Sequence, residues 1–133
     1  MKKTSVLLAD RQTEMVEGIR DLLKTTFDTV VMVSDEESLI ETLDRFDPDL
    51  VVVDLELPVT HVQNVADLLN RYDPELKFIV LSTHEERAVM EACKSSGASG
   101  YILKRSSAEN LIKALEIVQK GGTFFTVNKD ISE

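Results

Sequence analysis

The stretch LVVVD at Leu50–Asp54 is an uninterrupted apolar run that ends in a carboxylate. Continuous β-branched residues, in place of alternating apolar and polar ones, are typical of a strand covered by helices on both faces. Asp54 therefore marks the point where a buried strand reaches the surface. Two other runs have the same form, since Thr4–Ala9 is followed by Asp10 and Gly100–Leu103 by Lys104.

Short apolar runs of this kind alternate with helical patterns along the chain. Between them, apolar residues recur with the 3.6-residue spacing of a helix, as in Leu39, Ile40, Leu43 and Phe46. Right-handed crossovers turn a βαβαβαβαβα pattern into a parallel sheet with helices on both faces. We predict an α/β fold, a three-layer, doubly wound, five-stranded parallel sheet with strand order 2-1-3-4-5. The predicted strands are Thr4–Ala9, Thr29–Val33, Leu50–Asp54, Lys77–Ser82 and Gly100–Leu103.

The carboxyl ends of parallel strands lie along one edge of the sheet, where ligands bind in open α/β folds. Asp10 and Asp54 end the two strands at the switch point of the predicted order, and Ser82 and Lys104 end the next two strands. Two carboxylates, a hydroxyl and an ammonium suit a phosphoryl group, whose charge needs cations and hydrogen-bond donors. We therefore predict a phosphoryl-handling site at this edge.

Length and composition fit one globular domain. The 133 residues are 43% hydrophobic and 29% charged, and we expect a single domain with its core at about 4–125 and a tail or the start of a linker at 126–133. The net charge of −9 argues against direct contact with nucleic acid, whose binders concentrate Lys and Arg on one face. Because nothing resembles a signal peptide or a membrane-spanning run, we expect a cytoplasmic protein without membrane contact. We expect the single cysteine, Cys93, to be a core thiol.

Four motifs stand in order along the chain: LLAD at 7–10, VVVDLELP at 51–58, FIVLS at 78–82 and SGASGYILK at 96–104. Together, at this spacing, they resemble the receiver domain of bacterial two-component response regulators. The resemblance runs from about Ser5 to Phe125 and implies the flavodoxin/CheY-like form of the predicted fold. The ending GASGYILKRSSAENLIKALEIVQKGGTFF is most similar to the subfamily whose receivers precede a LuxR/NarL-type helix-turn-helix domain.

The resemblance implies a role for each polar residue of the predicted site. Asp54 would accept a phosphoryl group from a histidine kinase, with Mg²⁺ held by Asp10, Asp54 and the backbone carbonyl of Glu56. Ser82 and Lys104 would contact the phosphoryl oxygens. The domain would be a signalling switch and not an enzyme, apart from its own self-phosphorylation and self-dephosphorylation.

The resemblance also implies how the phosphoryl group acts at a distance. Ser82 and Tyr101 would be the switch residues, the Tyr101 ring swinging inward as Ser82 moves, and Glu56 and His84 would tune the lifetime of the phosphoryl group. The output surface would lie around helix 4, strand 5 and helix 5. The implied partners are a histidine kinase, a second copy of the chain in a homodimer, and a DNA-binding output domain outside this chain.

Arg11 departs from the family pattern, which has two adjacent acids after the first strand. A cation there removes one attraction to Mg²⁺ and adds one repulsion, each on the order of 4 kcal/mol at contact distance and an effective dielectric near 20. Three outcomes stay open. The chain could be a phosphorylated receiver with weakened or absent Mg²⁺ binding, or a pseudo-receiver in which Arg11 occupies the metal position and partners bind without phosphate. Alternatively, Arg11 turns out to solvent, and Glu56 pairs with it or offers a carboxylate to the ion. A flavin-binding domain of the same topology is a remote alternative, because ADRQTEM at 9–15 is not a Ser/Thr/Gly-rich phosphate loop.

The loop after Pro58 departs as well. Val59 and Val62 stand where the family usually has glycines. Because glycine is the residue that tolerates positive φ, we expect this loop to avoid that conformation.

Overall fold

A computed structural model describes residues 4–125, apart from the side chains of residues 13–17. The predicted tail at 126–133 lies outside the described residues. The strands are β1 (Ser5–Ala9), β2 (Thr29–Val33), β3 (Leu50–Asp54), β4 (Phe78–Ser82), β5 (Gly100–Leu103) and β6 (Phe124–Phe125). The helices are α1 (Thr13–Lys24), α2 (Glu36–Arg45), α3 (Val65–Tyr72), α4 (Arg87–Ser95) and α5 (Ser107–Gln119), and a 3₁₀ turn at Lys104–Ser106 links β5 to α5.

The strands form one parallel sheet with the order β2-β1-β3-β4-β5-β6. The predicted α/β fold and the order of the first five strands are confirmed. A sixth strand was not predicted, because two consecutive phenylalanines carry no strand period. It pairs with β5 through the N–H of Phe124, which donates to Ser99 O at 3.0 Å.

Helices cover both faces of the sheet. Buried strand residues alternate between two clusters, so that Val53 and Val80 face α2, α3 and α4, whereas Val52 and Ile79 face α1 and α5. Every residue of β3, β4 and β5 is buried. This two-sided burial is why these strands read as continuous apolar runs.

Two further features bear on the sequence-based expectations. Cys93 is fully buried in α4, and its burial raises the pKa of the thiol to about 11, so the expected core thiol is confirmed. None of the helices in residues 4–125 combines the length and hydropathy that a membrane span requires.

The expectation that the β3–α3 loop avoids positive φ is wrong. His61 has a φ of 68°, a backbone conformation that costs a residue with a side chain roughly 1–2 kcal/mol. The chain must turn between Pro58 and Asn64, whose side chain caps α3 by accepting from the N–H of Asp67 at 3.0 Å. Because Val59 is β-branched and unsuited to positive φ, the turn falls on His61, a residue type enriched there.

Gly100 opens β5 at a point where a methyl group would be tightly packed. A Cβ added there would lie 3.1 Å from Ile79 Cγ1 and 3.2 Å from the carbonyl oxygen of Phe124, so the Ile79 side chain and the β6 backbone would each have to give by a few tenths of an ångström. We expect Gly100→Ala to lower the free energy of unfolding by about 1–3 kcal/mol, measured by urea denaturation.

Gly18 provides the matched control, because it is exposed in α1 and an added Cβ would meet nothing within 4 Å. Gly18→Ala is expected to stabilise the protein by up to about 1 kcal/mol through helix propensity. Equal effects of the two substitutions would contradict the tight β4–β5–β6 packing.

Candidate functional site

Four polar residues at the carboxyl ends of the strands meet at one edge of the sheet. Lys104 Nζ lies 3.1 Å from Asp54 Oδ1 and 3.7 Å from Asp10 Oδ2, and the Lys104 side chain is only 7% exposed. Ser82 is fully buried at the end of β4. A cavity of about 220 Å³ opens beside it, lined by Ser82, Thr83, Leu103, Lys104 and Arg105. The structure therefore brings the four predicted strand-end residues together.

Backbone hydrogen bonds orient the two carboxylates. The N–H of Gln12 donates to Asp10 Oδ1 at 2.8 Å, and the N–H of Glu56 donates to Asp54 Oδ1 at 3.0 Å. These bonds form because each strand turns sharply after its acid. The other oxygen of each carboxylate, Oδ2, is buried and has no hydrogen-bond partner.

Two buried oxygens without hydrogen bonds are a candidate cation site, since buried polar groups normally have partners. Carboxylate and carbonyl oxygens are the ligands that Mg²⁺ takes in proteins, together with several waters. Asp10, Asp54 and the Glu56 carbonyl that the resemblance adds form such a donor set. Among the described residues there is no group of three or more His, Cys, Asp or Glu side chains that could hold a metal ion, so a cation here would also need backbone carbonyl and water ligands.

Burial dominates the electrostatics of Asp10. Desolvation raises the pKa of its carboxyl above the ordinary 3.8, and the nearby charge of Asp54 raises it further. The hydrogen bond from Gln12 and the charge of Lys104 offset part of this shift. The folded protein therefore holds the ionised form of Asp10 at a cost in stability.

Arg11 lies at the rim of the site and not inside it. Its Nη2 is 3.6 Å from Glu56 Oε1, and the two side chains are 47% and 38% exposed. Within the described part of the chain, it forms no ion pair with Asp10 or Asp54. Of the arrangements left open by the sequence, the pairing of a partly exposed Arg11 with Glu56 is the one observed.

Glu56 joins Arg11 to the β4–α4 loop. Its Oε2 lies 3.1 Å from His84 Nε2 and accepts a long hydrogen bond from the Thr83 hydroxyl at 3.4 Å. Sequence reasoning named Glu56 and His84 but missed Thr83, although its position directly after Ser82 at a strand end was a usable signal. The two residues predicted to tune phosphoryl lifetime are thus in direct contact.

Tyr101 is fully buried on β5. Its hydroxyl donates to the carbonyl of His84 at 2.8 Å, and the N–H of His84 donates to Ser82 Oγ at 2.9 Å. Burial raises the pKa of the phenol, and a hydrogen bond with Ser82 partly offsets this. The ring therefore occupies the inward position, and its hydroxyl is linked to Ser82 both directly and through the loop backbone.

The ionised Asp10 carboxylate should lower the free energy of unfolding at neutral pH. Because its folded pKa lies above 3.8, the cost is present above the folded pKa and disappears as the pH falls through it. Asp10→Asn is neutral and can keep the Gln12 hydrogen bond, and Lys104 retains Asp54. We expect urea denaturation to show a stabilised variant at neutral pH, with a gain that shrinks in acid.

Lys104→Met should lower the free energy of unfolding, which is the opposite of the effect expected for Asp10→Asn. It leaves two buried carboxylates without their cation, and breaking such a buried pair costs about 3–5 kcal/mol. Stabilisation by Lys104→Met, or a loss of stability in Asp10→Asn at neutral pH, would contradict these electrostatics.

Comparison with known proteins identifies the family. The family profile described as response regulator receiver domain matches residues 6–116. The transcriptional regulatory protein DegU of Brevibacillus brevis is 32% identical over 124 residues, which cover 92% of this chain and 52% of DegU. The nitrate/nitrite response regulator NarL of Escherichia coli K12 is 32% identical over 120 residues, covering 88% of this chain and 55% of NarL. The chain thus spans about half the length of these curated relatives.

Solved structures agree with this assignment. The isolated REC domain of RcsB from Salmonella enterica serovar Typhimurium, determined with the phosphomimetic BeF₃⁻, superposes with a TM-score of 0.82 at 28% identity and 94% coverage of both chains. The non-phosphorylated receiver domain of Escherichia coli RcsB gives 0.80 at 27% identity, covering 94% of this chain and 99% of that one. By sequence and by fold, the chain belongs to the response regulator receiver domain family.

Proposed function

We propose that this chain is a phosphorylation-controlled signalling receiver in which Asp54 accepts a phosphoryl group from a histidine kinase. One observation carries the proposal: Asp54 is buried with Lys104 Nζ 3.1 Å from its Oδ1, while its Oδ2 has no hydrogen-bond partner. A carboxylate with one oxygen fixed by Lys104 and the other free of hydrogen bonds is suited to act as a nucleophile. The family membership supports the same conclusion.

The chemistry requires charge neutralisation above all. In the transfer, an Asp54 oxygen forms a bond to phosphorus while the bond from phosphorus to the imidazole nitrogen of a phosphohistidine breaks, and the electron pair returns to that nitrogen. The product is an acyl phosphate, and the imidazole regains a proton from water. Lys104 supplies a fixed positive charge. The Ser82 hydroxyl accepts from His84 N–H and bonds to Tyr101, and it would turn its proton from Tyr101 to a phosphoryl oxygen.

Mg²⁺ would be held by Asp10 Oδ2 and Asp54 Oδ2, which accept no hydrogen bond, together with the carbonyl of Glu56. When bound, it would supply the further positive charge that phosphoryl transfer needs. This chain's own residues do the rest: the Gln12 and Glu56 N–H groups orient the carboxylates, and Glu56 and His84 cover the rim and set how long the acyl phosphate survives water. Beyond self-phosphorylation and self-dephosphorylation the domain turns over no substrate.

We place the output surface on α4, β5 and α5. Tyr101 sits on β5, its hydroxyl holds the β4–α4 loop, and an Arg105–Glu85 ion pair links the end of β5 to the same loop. A change at Ser82 therefore has direct contacts through which to reach α4. Ligand control of such a two-state element requires differential contacts in the two states.

The partners in this proposal follow from the relatives. DegU is a transcriptional regulatory protein and NarL a nitrate/nitrite response regulator. One related structure is of two RcsB dimers bound to two parallel DNAs. We accordingly propose residues 4–125 as one receiver unit that works in the cytoplasm, forms homodimers and controls a DNA-binding output domain outside this chain.

Asp54 is expected to be the one residue phosphorylated by acetyl phosphate in the presence of Mg²⁺. Intact-mass analysis should show one added phosphoryl group on the wild type and none on Asp54→Asn. The matched control is Asp21→Asn, because Asp21 has a 71% exposed side chain far from this chemistry, and it should be phosphorylated like the wild type.

Phosphorylation that persists in Asp54→Asn would show that another residue is the acceptor and would contradict the assignment of Asp54. Absence of phosphorylation in the wild type, with binding of partners unchanged by phosphodonors, would favour the pseudo-receiver and overturn the proposal.

A phosphoryl mimic at Asp54 is expected to change amide hydrogen exchange in the segment 85–119, which spans α4, β5 and α5. The hydrogen bonds from His84 N–H to Ser82 Oγ and from Tyr101 to His84 O provide the mechanical link. Exchange in β2 and α2 serves as the internal reference, because β2 lies at the other end of the sheet from β5 and β6. An unchanged pattern in 85–119 on addition of BeF₃⁻ would contradict the switch.

A further inference from the structure

Arg11 is a cation beside a site that must hold another cation. Its guanidinium nevertheless stays at the rim, where Nη2 lies 3.6 Å from Glu56 Oε1. Among the described residues, Glu56 is the one acid within ion-pair distance of Arg11. The position of the guanidinium therefore depends on this carboxylate.

Glu56 is itself held on both sides. Its backbone N–H donates to Asp54 Oδ1 at 3.0 Å, which fixes the main chain beside the site. Its Oε2 lies 3.1 Å from His84 Nε2 and 3.4 Å from the Thr83 hydroxyl. The side chain thus lies toward the β4–α4 loop and leaves Oε1 for Arg11.

The alternative partners for Arg11 are the oxygens inside the site. Asp10 Oδ2 and Asp54 Oδ2 are buried without hydrogen bonds. Buried carboxylates without full pairing are costly, and the planar guanidinium is well matched to them. Arg11 immediately follows Asp10, so an Arg11 released from the rim has two strong acceptors next to it.

We propose that Glu56 is a positioning residue that holds Arg11 at the rim. It thereby keeps Asp10 Oδ2 and Asp54 Oδ2, which accept no hydrogen bond, available to a divalent cation. Its carboxylate acts through Arg11 and does not contact the ion. The inference rests on the proposed function for the nature of the ion, and it explains how a receiver with a cation in place of an acid keeps its metal site open.

A double-mutant cycle separates this role from a direct one. Mg²⁺ alone is titrated into the wild type, Glu56→Gln, Arg11→Ala and the double variant at matched ionic strength, with affinities from calorimetry or amide shifts. Glu56→Gln should weaken binding on the order of tenfold, which lies within the coupling range of contacting residues. In the Arg11→Ala background the same change should cost less than about threefold, because a partly exposed charge is screened.

Glu86→Gln is the matched control for charge. Glu86 lies at the same loop, with Oε1 3.7 Å from His84 Nδ1, and does not pair with Arg11. It should change the Mg²⁺ affinity less than about threefold. An equal loss in both Arg11 backgrounds, an equal loss from Glu86→Gln, or no Mg²⁺ binding by the wild type would each overturn the proposal.

The cycle is independent of phosphorylation. A protein that follows the predicted Mg²⁺ cycle but takes no phosphoryl group would contradict the proposed function and leave the positioning role standing. If Asp54 is phosphorylated but the effects of the Glu56 and Arg11 substitutions on Mg²⁺ affinity are additive, the proposed function stands and the positioning role is contradicted.

Discussion

The buried ammonium of Lys104 between two carboxylates is the interaction on which the site depends. It lies 3.1 Å from Asp54 and 3.7 Å from Asp10, so one charge ties together the ends of β1, β3 and β5. Taking these groups out of water is expensive, and pairing returns only part of the cost. Stability comes instead from the fully buried strands β3, β4 and β5 and the helices packed on both faces. The sheet can hold an electrostatically costly centre because its own burial supplies the stability.

The same lysine connects the centre to α5, one of the elements on which we propose the output surface. Lys104 begins the 3₁₀ turn that leads into α5, and Tyr101 lies on the strand that precedes it. Tyr101 is the register partner of Phe125 in β6 and hydrogen-bonds to the loop before α4. A change in charge at Asp54 would therefore act on Lys104 and, through residues near it in the chain, on α4, α5 and β6.

The sequence predicted the fold and the meeting of strand ends because both follow from burial and handedness. Continuous apolar runs require cover on both faces, and right-handed crossovers then fix which ends share an edge. The residues that were missed follow other rules. Phe124 and Phe125 pair with β5 because that edge is open, and His61 takes positive φ because the β-branched Val59 is unsuited to it. The inward Tyr101 ring and the Glu56–His84 contact depend on side-chain packing between distant segments, which no periodicity encodes.

Arg11 shows why the charge of a residue, read from the sequence alone, can overstate the electrostatic effect of that residue in the folded protein. At contact distance inside a site, with an effective dielectric near 20, one unit-charge interaction amounts to about 4 kcal/mol, whereas in water it is about 1 kcal/mol. The Arg11 side chain is 47% exposed and already faces Glu56, so its repulsion toward a cation at Asp10 and Asp54 lies toward the lower figure. Lys104, 7% exposed, acts near the upper one. The sign of the charge at position 11 therefore matters less for a bound cation than the carboxylate that pairs with that residue. In this chain the carboxylate is Glu56.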